Sequence, residues 1–192
     1  KRAFCIGLLP MLYAPALPLV HIVPVTLVLY RRTLREAVVA AAGLLLPFFI
    51  CSVVWWGLGD SFGLMGHELL AGTTLGEDTA LPALFGEKGV WSKVYIGLFA
   101  ALTLCSAIII LRTLPSLRTR AKKIHIHFLW LLLLCLISLL LPGSTIASLG
   151  VLAVPCCVTV FAFFIRYRGW LPLAIYTVLT ALMLYINLFP GV

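Results

Sequence analysis

Apolar positions in this chain run in unbroken stretches; they neither alternate nor keep to one helical face. Six stretches stand out: residues 3–30, 37–58, 94–111, 124–141, 146–165 and 170–189. Each is near or above the roughly 20 residues that a helix needs to cross about 30 Å of hydrocarbon. Backbone groups in lipid must pair internally, which leaves helices and closed barrels. Barrel strands would alternate. The pattern therefore predicts an all-α, polytopic transmembrane helical bundle of about six spans, forming a single transmembrane domain over 1–192.

The first stretch is unusual because it holds Pro10, Pro15, Pro18 and Pro24. Each proline removes a backbone donor and disturbs the preceding turn. The stretch is expected to be one long kinked or broken span, with a break near Tyr13–Pro18 into two short pieces as the alternative. It is too long and too proline-rich for a cleavable signal peptide, and no A-x-A-like site closes it. The chain starts on Lys1 rather than Met, with apolar residues from Ala3 onward, so the reading leaves room for spans upstream.

Composition strengthens the membrane assignment. The 192 residues are 63% hydrophobic and 10% charged, with a mean hydropathy of +1.17, whereas soluble domains hold roughly 45–50% apolar and about 25% charged residues. A soluble enzyme, a nucleic-acid module and a disordered regulator are excluded. The six cysteines (Cys5, Cys51, Cys105, Cys135, Cys156 and Cys157) all lie in apolar runs without a C-x-x-C spacing, so they read as small hydrophobes.

The net charge of +8 matters through its placement. Arg31, Arg32 and Arg35 follow the first stretch, Arg112, Arg118, Arg120, Lys122 and Lys123 follow the third, and Arg166 and Arg168 follow the fifth. These are ten of the fourteen basic residues, all on alternate turns. Five of the six acidic residues, Asp60, Glu68, Glu77, Asp78 and Glu87, fall in the intervening loop 59–93. The positive-inside rule puts the basic turns in the cytoplasm and loop 59–93 outside. Lys1 and Arg2 fit this threading only if the first stretch is a hairpin or is preceded by another span. Trp55, Trp56 and Trp91 beside the outer loop, with Tyr30, Tyr167 and Trp170 beside basic turns, read as interfacial belts.

Candidate chemistry is sparse. Ionisable groups at membrane depth are functional suspects by default, and His21, between Pro18 and Pro24, is the one such candidate. Structural packing is preferred over a proton or ligand role, and Asn187 reads as interhelical glue. His125 and His127, two residues apart, point about 200° apart on a helix and cannot chelate one metal together. Gly66-His67-Glu68 and Glu77-Asp78 offer oxygen and imidazole ligands without H-E-x-x-H or EF-hand spacing, so a solvated acidic loop is expected. Residues 61–71 are compatible with a short amphipathic helix on the membrane surface. The basic turn 112–123 suits anionic lipid, although fixing topology is explanation enough. No catalytic, cofactor-binding or metal site is assigned, and no cofactor is expected.

Three segments carry a family resemblance: Leu29-Tyr30-Arg31-Arg32-Thr33-Leu34-Arg35-Glu36-Ala37-Val38-Val39, then Gly43-Leu44-Leu45-Leu46-Pro47-Phe48-Phe49, then Trp55-Trp56-Gly57-Leu58-Gly59-Asp60. With Val154-Pro155 leading to Phe161–Phe164, the chain resembles a family of uncharacterised polytopic inner-membrane proteins of bacteria. The resemblance implies a topology and carries no activity and no catalytic residue. Physically, Arg32 or Arg35 can pair with Glu36, Gly43 permits close helix approach, and Pro47 is expected to kink its helix. Small residues such as Ala40–Ala42, Gly43, Gly97, Ala100 and Ala101 favour helix association. The function expected is a structural or accessory subunit of a membrane complex, in contact with the bilayer and other membrane subunits and not with nucleic acid. The alternative is a transporter or flippase of an apolar or lipid-linked solute.

Overall fold

The computed structural model describes residues 2–59, 61, 63–71, 90–141, 144, 148–167 and 169–188, without the side chains of Arg2, Leu64, Met65, Glu68, Leu70, Ser148 and Asn187. Glu77-Asp78, most of the turn at 142–145, Arg168 and the amide of Asn187 thus lie outside the described residues. Among those described the chain is about 90% helical, with no strand.

The elements are α1 (Arg2–Leu12), a 3₁₀ helix (Ala14–His21), α2 (Ile22–Leu29), α3 (Leu34–Gly57), α4 (Leu64–Ala71), α5 (Val90–Thr113), a 3₁₀ turn (Leu114–Ser116), α6 (Thr119–Leu139), α7 (Ser148–Arg166) and α8 (Trp170–Leu188). Among the described residues, four stretches are long and apolar enough to cross a membrane: Leu34–Gly57, Val90–Ser116, Thr119–Leu139 and Leu149–Arg166. Ala3–Leu12, Ala14–Leu29 and Trp170–Ile186 are shorter apolar helices. The six expected spans are therefore four full-length helices plus shorter ones. In the first stretch the proline spacing is the reason for the difference. Tyr13 is extended (φ −152°, ψ 97°), and the chain then winds as 3₁₀ from Pro15 past Pro18.

The described residues pack as two compact units, Lys1–Leu81 with Trp130–Leu152, and Pro82–Leu129 with Ala153–Val192. Helices α6 and α7 each contribute to both.

In the first unit α1 crosses α3 at backbone contact. A Cβ added at Gly7 would sit 2.5 Å from the Leu44 carbonyl oxygen, and one at Gly43 would sit 3.3 Å from the Ala3 Cβ. The close approach expected at Gly43 is therefore present, and Gly7 makes the tighter half of it. Ala16, Leu19, Ile22 and Val23 are buried with Leu134 and Cys135 of α6. In a 3₁₀ helix the Pro15 carbonyl would accept from residue 18, but Pro18 has no N–H. The Ser138 hydroxyl of α6 donates to that carbonyl instead. The break is thus closed by a neighbouring helix, as lipid requires.

The α2–α3 connection is a Schellman turn. Arg32 N–H donates to Leu27 O and Arg31 N–H to Val28 O, with Arg31 left-handed at φ 50°, where glycine is usual. Thr33 then caps α3, its hydroxyl accepting from the Glu36 N–H at 3.4 Å. Arg32 pairs with Glu36 at 3.4 Å, one of the two pairings expected. Helix α3 continues through the buried Pro47.

In the second unit Leu102, Val160 and Phe163 form the core. The Thr103 hydroxyl and Cys156 thiol meet between α5 and α7, and Trp91 sits edge-on to Tyr185 at 5.6 Å, joining α5 to α8. The buried hydroxyls satisfy themselves locally. Ser106 donates to Leu102 O at 2.7 Å, and Thr159 donates to Cys156 O at 2.8 Å. Back-bonding of this kind lets a hydroxyl sit in a span without an external partner.

Candidate functional site

The proline-broken segment leaves space beside it. An apolar cavity of about 540 Å³ lies in the first unit, within the 300–1,000 Å³ typical of small-molecule sites. Gly7, Pro10 and Met11 of α1 form one wall, Leu17 and Val20 of the 3₁₀ helix a second, and Ala41, Leu45 and Phe48 of α3 a third. Gly66 and Leu69 of α4 complete it. The glycine contact at Leu44 fixes the distance between the first and third walls. Pro10 bears on the cavity too, because it stands one turn from the break at Tyr13.

The α4 wall modifies an expectation. Residues 61–71 do include a helix, but Gly66 faces the Phe48 ring, 3.7 Å from where its Cβ would lie. Phe48 stands nine residues before the end of α3 at Gly57, so α4 folds back along α3. Every side chain that lines the cavity among the described residues is apolar, so the cavity offers an entering molecule no side-chain hydrogen bond.

The titratable residues lie elsewhere. His21 is exposed, with Nδ1 3.3 Å from the Pro18 carbonyl oxygen, and it does not line the cavity. His125 and His127 sit on α6, and the His127 ring is edge-on to Phe128 at 6.2 Å. His67 is exposed on α4. Among the described residues no three His, Cys, Asp or Glu side chains gather as a metal site, and the six cysteines are free. Arg112, Arg118, Arg120 and Lys122 are exposed around the turn into α6. Ser52, one turn beyond Phe48 on α3, is fully buried with no hydrogen-bond partner among the described residues.

Among the described residues the structure thus brings together none of the polar candidates, and it gathers apolar residues that sequence reasoning passed over: Gly7, Met11, Phe48 and Leu69. One signal for part of this is local. Ala3 and Gly7 are four apart, the small-xxx-small spacing of close helix crossings. The convergence of three segments around Phe48 has no local signal.

Most apolar surface faces outward. Only 11–22% of the apolar windows of the four long helices is buried. On α5 a face of small residues lies open: Gly97, Ala100 and Ala101 are exposed, and a Cβ at Gly97 would meet nothing within 4 Å. Exposed Val94, Leu98, Leu104 and Ile108 accompany it.

No protein-family model, curated protein or solved structure matches this chain.

Proposed function

We propose that this chain is a non-enzymatic, multi-pass subunit of a bacterial inner membrane that joins a larger membrane complex through the open face of α5. The observation that carries the reading is a contrast between two small-residue faces. Ala3 and Gly7 are closed against Gly43 and Leu44 of α3, whereas Gly97 and Ala101, at the same spacing, are exposed among the described residues, and a Cβ at Gly97 would meet nothing within 4 Å. Helices in lipid associate by close backbone approach at such residues.

The threading proposed with this reading puts the turns at Arg31–Arg35, Arg112–Lys123 and Arg166–Arg168 in the cytoplasm and loop 59–93 outside. The four long helices alone support the alternation, because one of them separates each basic turn from the next non-basic one. Extraction of a tagged chain in mild detergent tests the assembly. Defined subunits should accompany the native protein and be lost from Gly97→Leu, which places a large side chain on the contact face without touching the core. A lone chain in both preparations contradicts the reading.

A second reading, transport of an apolar or lipid-linked solute, is favoured by the cavity lying along a proline-broken helix, where transporters hold substrate. Reconstituted vesicles that move a lipid-linked probe between leaflets only when the chain is present would support it.

A further inference from the structure

The cavity's depth, its size and the charge at the start of α3 narrow what can fill it. Ala41 and Phe48 lie about 12 and 22 Å along α3 from its cap at Thr33, at 1.5 Å per residue, hence within the roughly 30 Å hydrocarbon layer. A partner helix about 10–12 Å across would find room in about 540 Å³ for only about one turn of its length. A single hydrocarbon chain is narrow enough, and at this depth lipid surrounds the protein in excess, so mass action favours it.

Helix α3, which forms one wall of the cavity, begins at a cationic turn about 12 Å before Ala41. Of Arg31, Arg32 and Arg35, only Arg32 is paired, with Glu36; Arg31 and Arg35 make no ion pair among the described residues. Arg31 occupies the left-handed position of the Schellman turn, a posture that costs a non-glycine residue roughly 1–2 kcal/mol. A side chain kept there against that cost points to a use for its charge. We propose that the cavity holds one acyl chain of an anionic phospholipid whose headgroup sits at the Arg31–Arg35 turn.

The site is distinct from the α5 face and needs neither a partner subunit nor transport. The test uses the full chain in nanodiscs with phosphatidylglycerol carrying a diazirine in the distal half of one acyl chain. After irradiation, peptide mapping should find adducts concentrated on Met11, Ala41 and Phe48. Leu45→Trp, which fills the cavity, should remove them. Arg31→Gly relieves the backbone strain and so should fold at least as well as the native chain, yet capture about fivefold less probe, the effect of one basic residue near the surface. A phosphatidylcholine probe should likewise label weakly. Adducts spread evenly over the exposed faces of α5 and α8, labelling unchanged by Leu45→Trp, or equal capture of the two headgroups would each overturn the proposal. If adducts localise as expected while no subunit co-purifies, only the assembly reading falls.

Discussion

Glycine in a membrane helix is informative only where something occupies the space of its missing side chain. Gly7→Ala forces the Leu44 backbone away and should cost about 1–3 kcal/mol, the range for overpacking. Gly97→Ala meets nothing and should be neutral or stabilising by up to about 1 kcal/mol, through helix propensity alone. Thermal unfolding in one detergent compares them directly, and equal midpoints for the two variants would contradict the α1–α3 crossing. Arg31→Gly should raise the midpoint, since glycine carries no left-handed penalty, and a lowered midpoint would mean that the Arg31 side chain supports the turn. At this scale the sequence was partly readable. Gly43 announced a close approach, and the Arg32–Glu36 pair follows from i, i+4 spacing. Thr33-x-x-Glu36 also has capping-box spacing, and the Thr33 hydroxyl does accept from the Glu36 N–H. The partner of Gly43 was not readable, because it lies about 40 positions away in sequence.

Among the elements, the broken first segment is where backbone chemistry and packing meet. Proline positions favoured one long kinked or broken span and offered a break near Tyr13–Pro18 into two pieces only as the alternative, which is the form the chain takes. Its form, an extended Tyr13 followed by a 3₁₀ helix, depends on Ser138 arriving from a helix more than a hundred residues later to satisfy Pro15. A double-mutant cycle tests this. Ser138→Ala should cost about 1 kcal/mol. In a Pro18→Ala background, residue 18 regains its N–H and can donate to Pro15 O, so the same Ser138→Ala change should cost markedly less. Identical costs in both backgrounds would mean that the Ser138 hydroxyl is not replacing the lost donor. Helix α4 shows the opposite balance: its existence was foreseen from composition, while its return along α3 toward Phe48 is a tertiary choice that no local pattern encodes.

For the whole molecule, all-α architecture and membrane character follow from hydrocarbon solubility, and unbroken apolar runs made both legible. The cavity was not, since it depends on three separated segments converging around Phe48. The proposed threading decides what the basic turns and loop 59–93 can touch. Single cysteines at Arg35, Glu77, Arg120 and Arg166, in a chain with its six native cysteines replaced, report sidedness to a membrane-impermeant maleimide. Intact cells should label position 77 alone, with 35, 120 and 166 reacting only after permeabilisation. Labelling of 77 and 120 from the same side would rule this threading out.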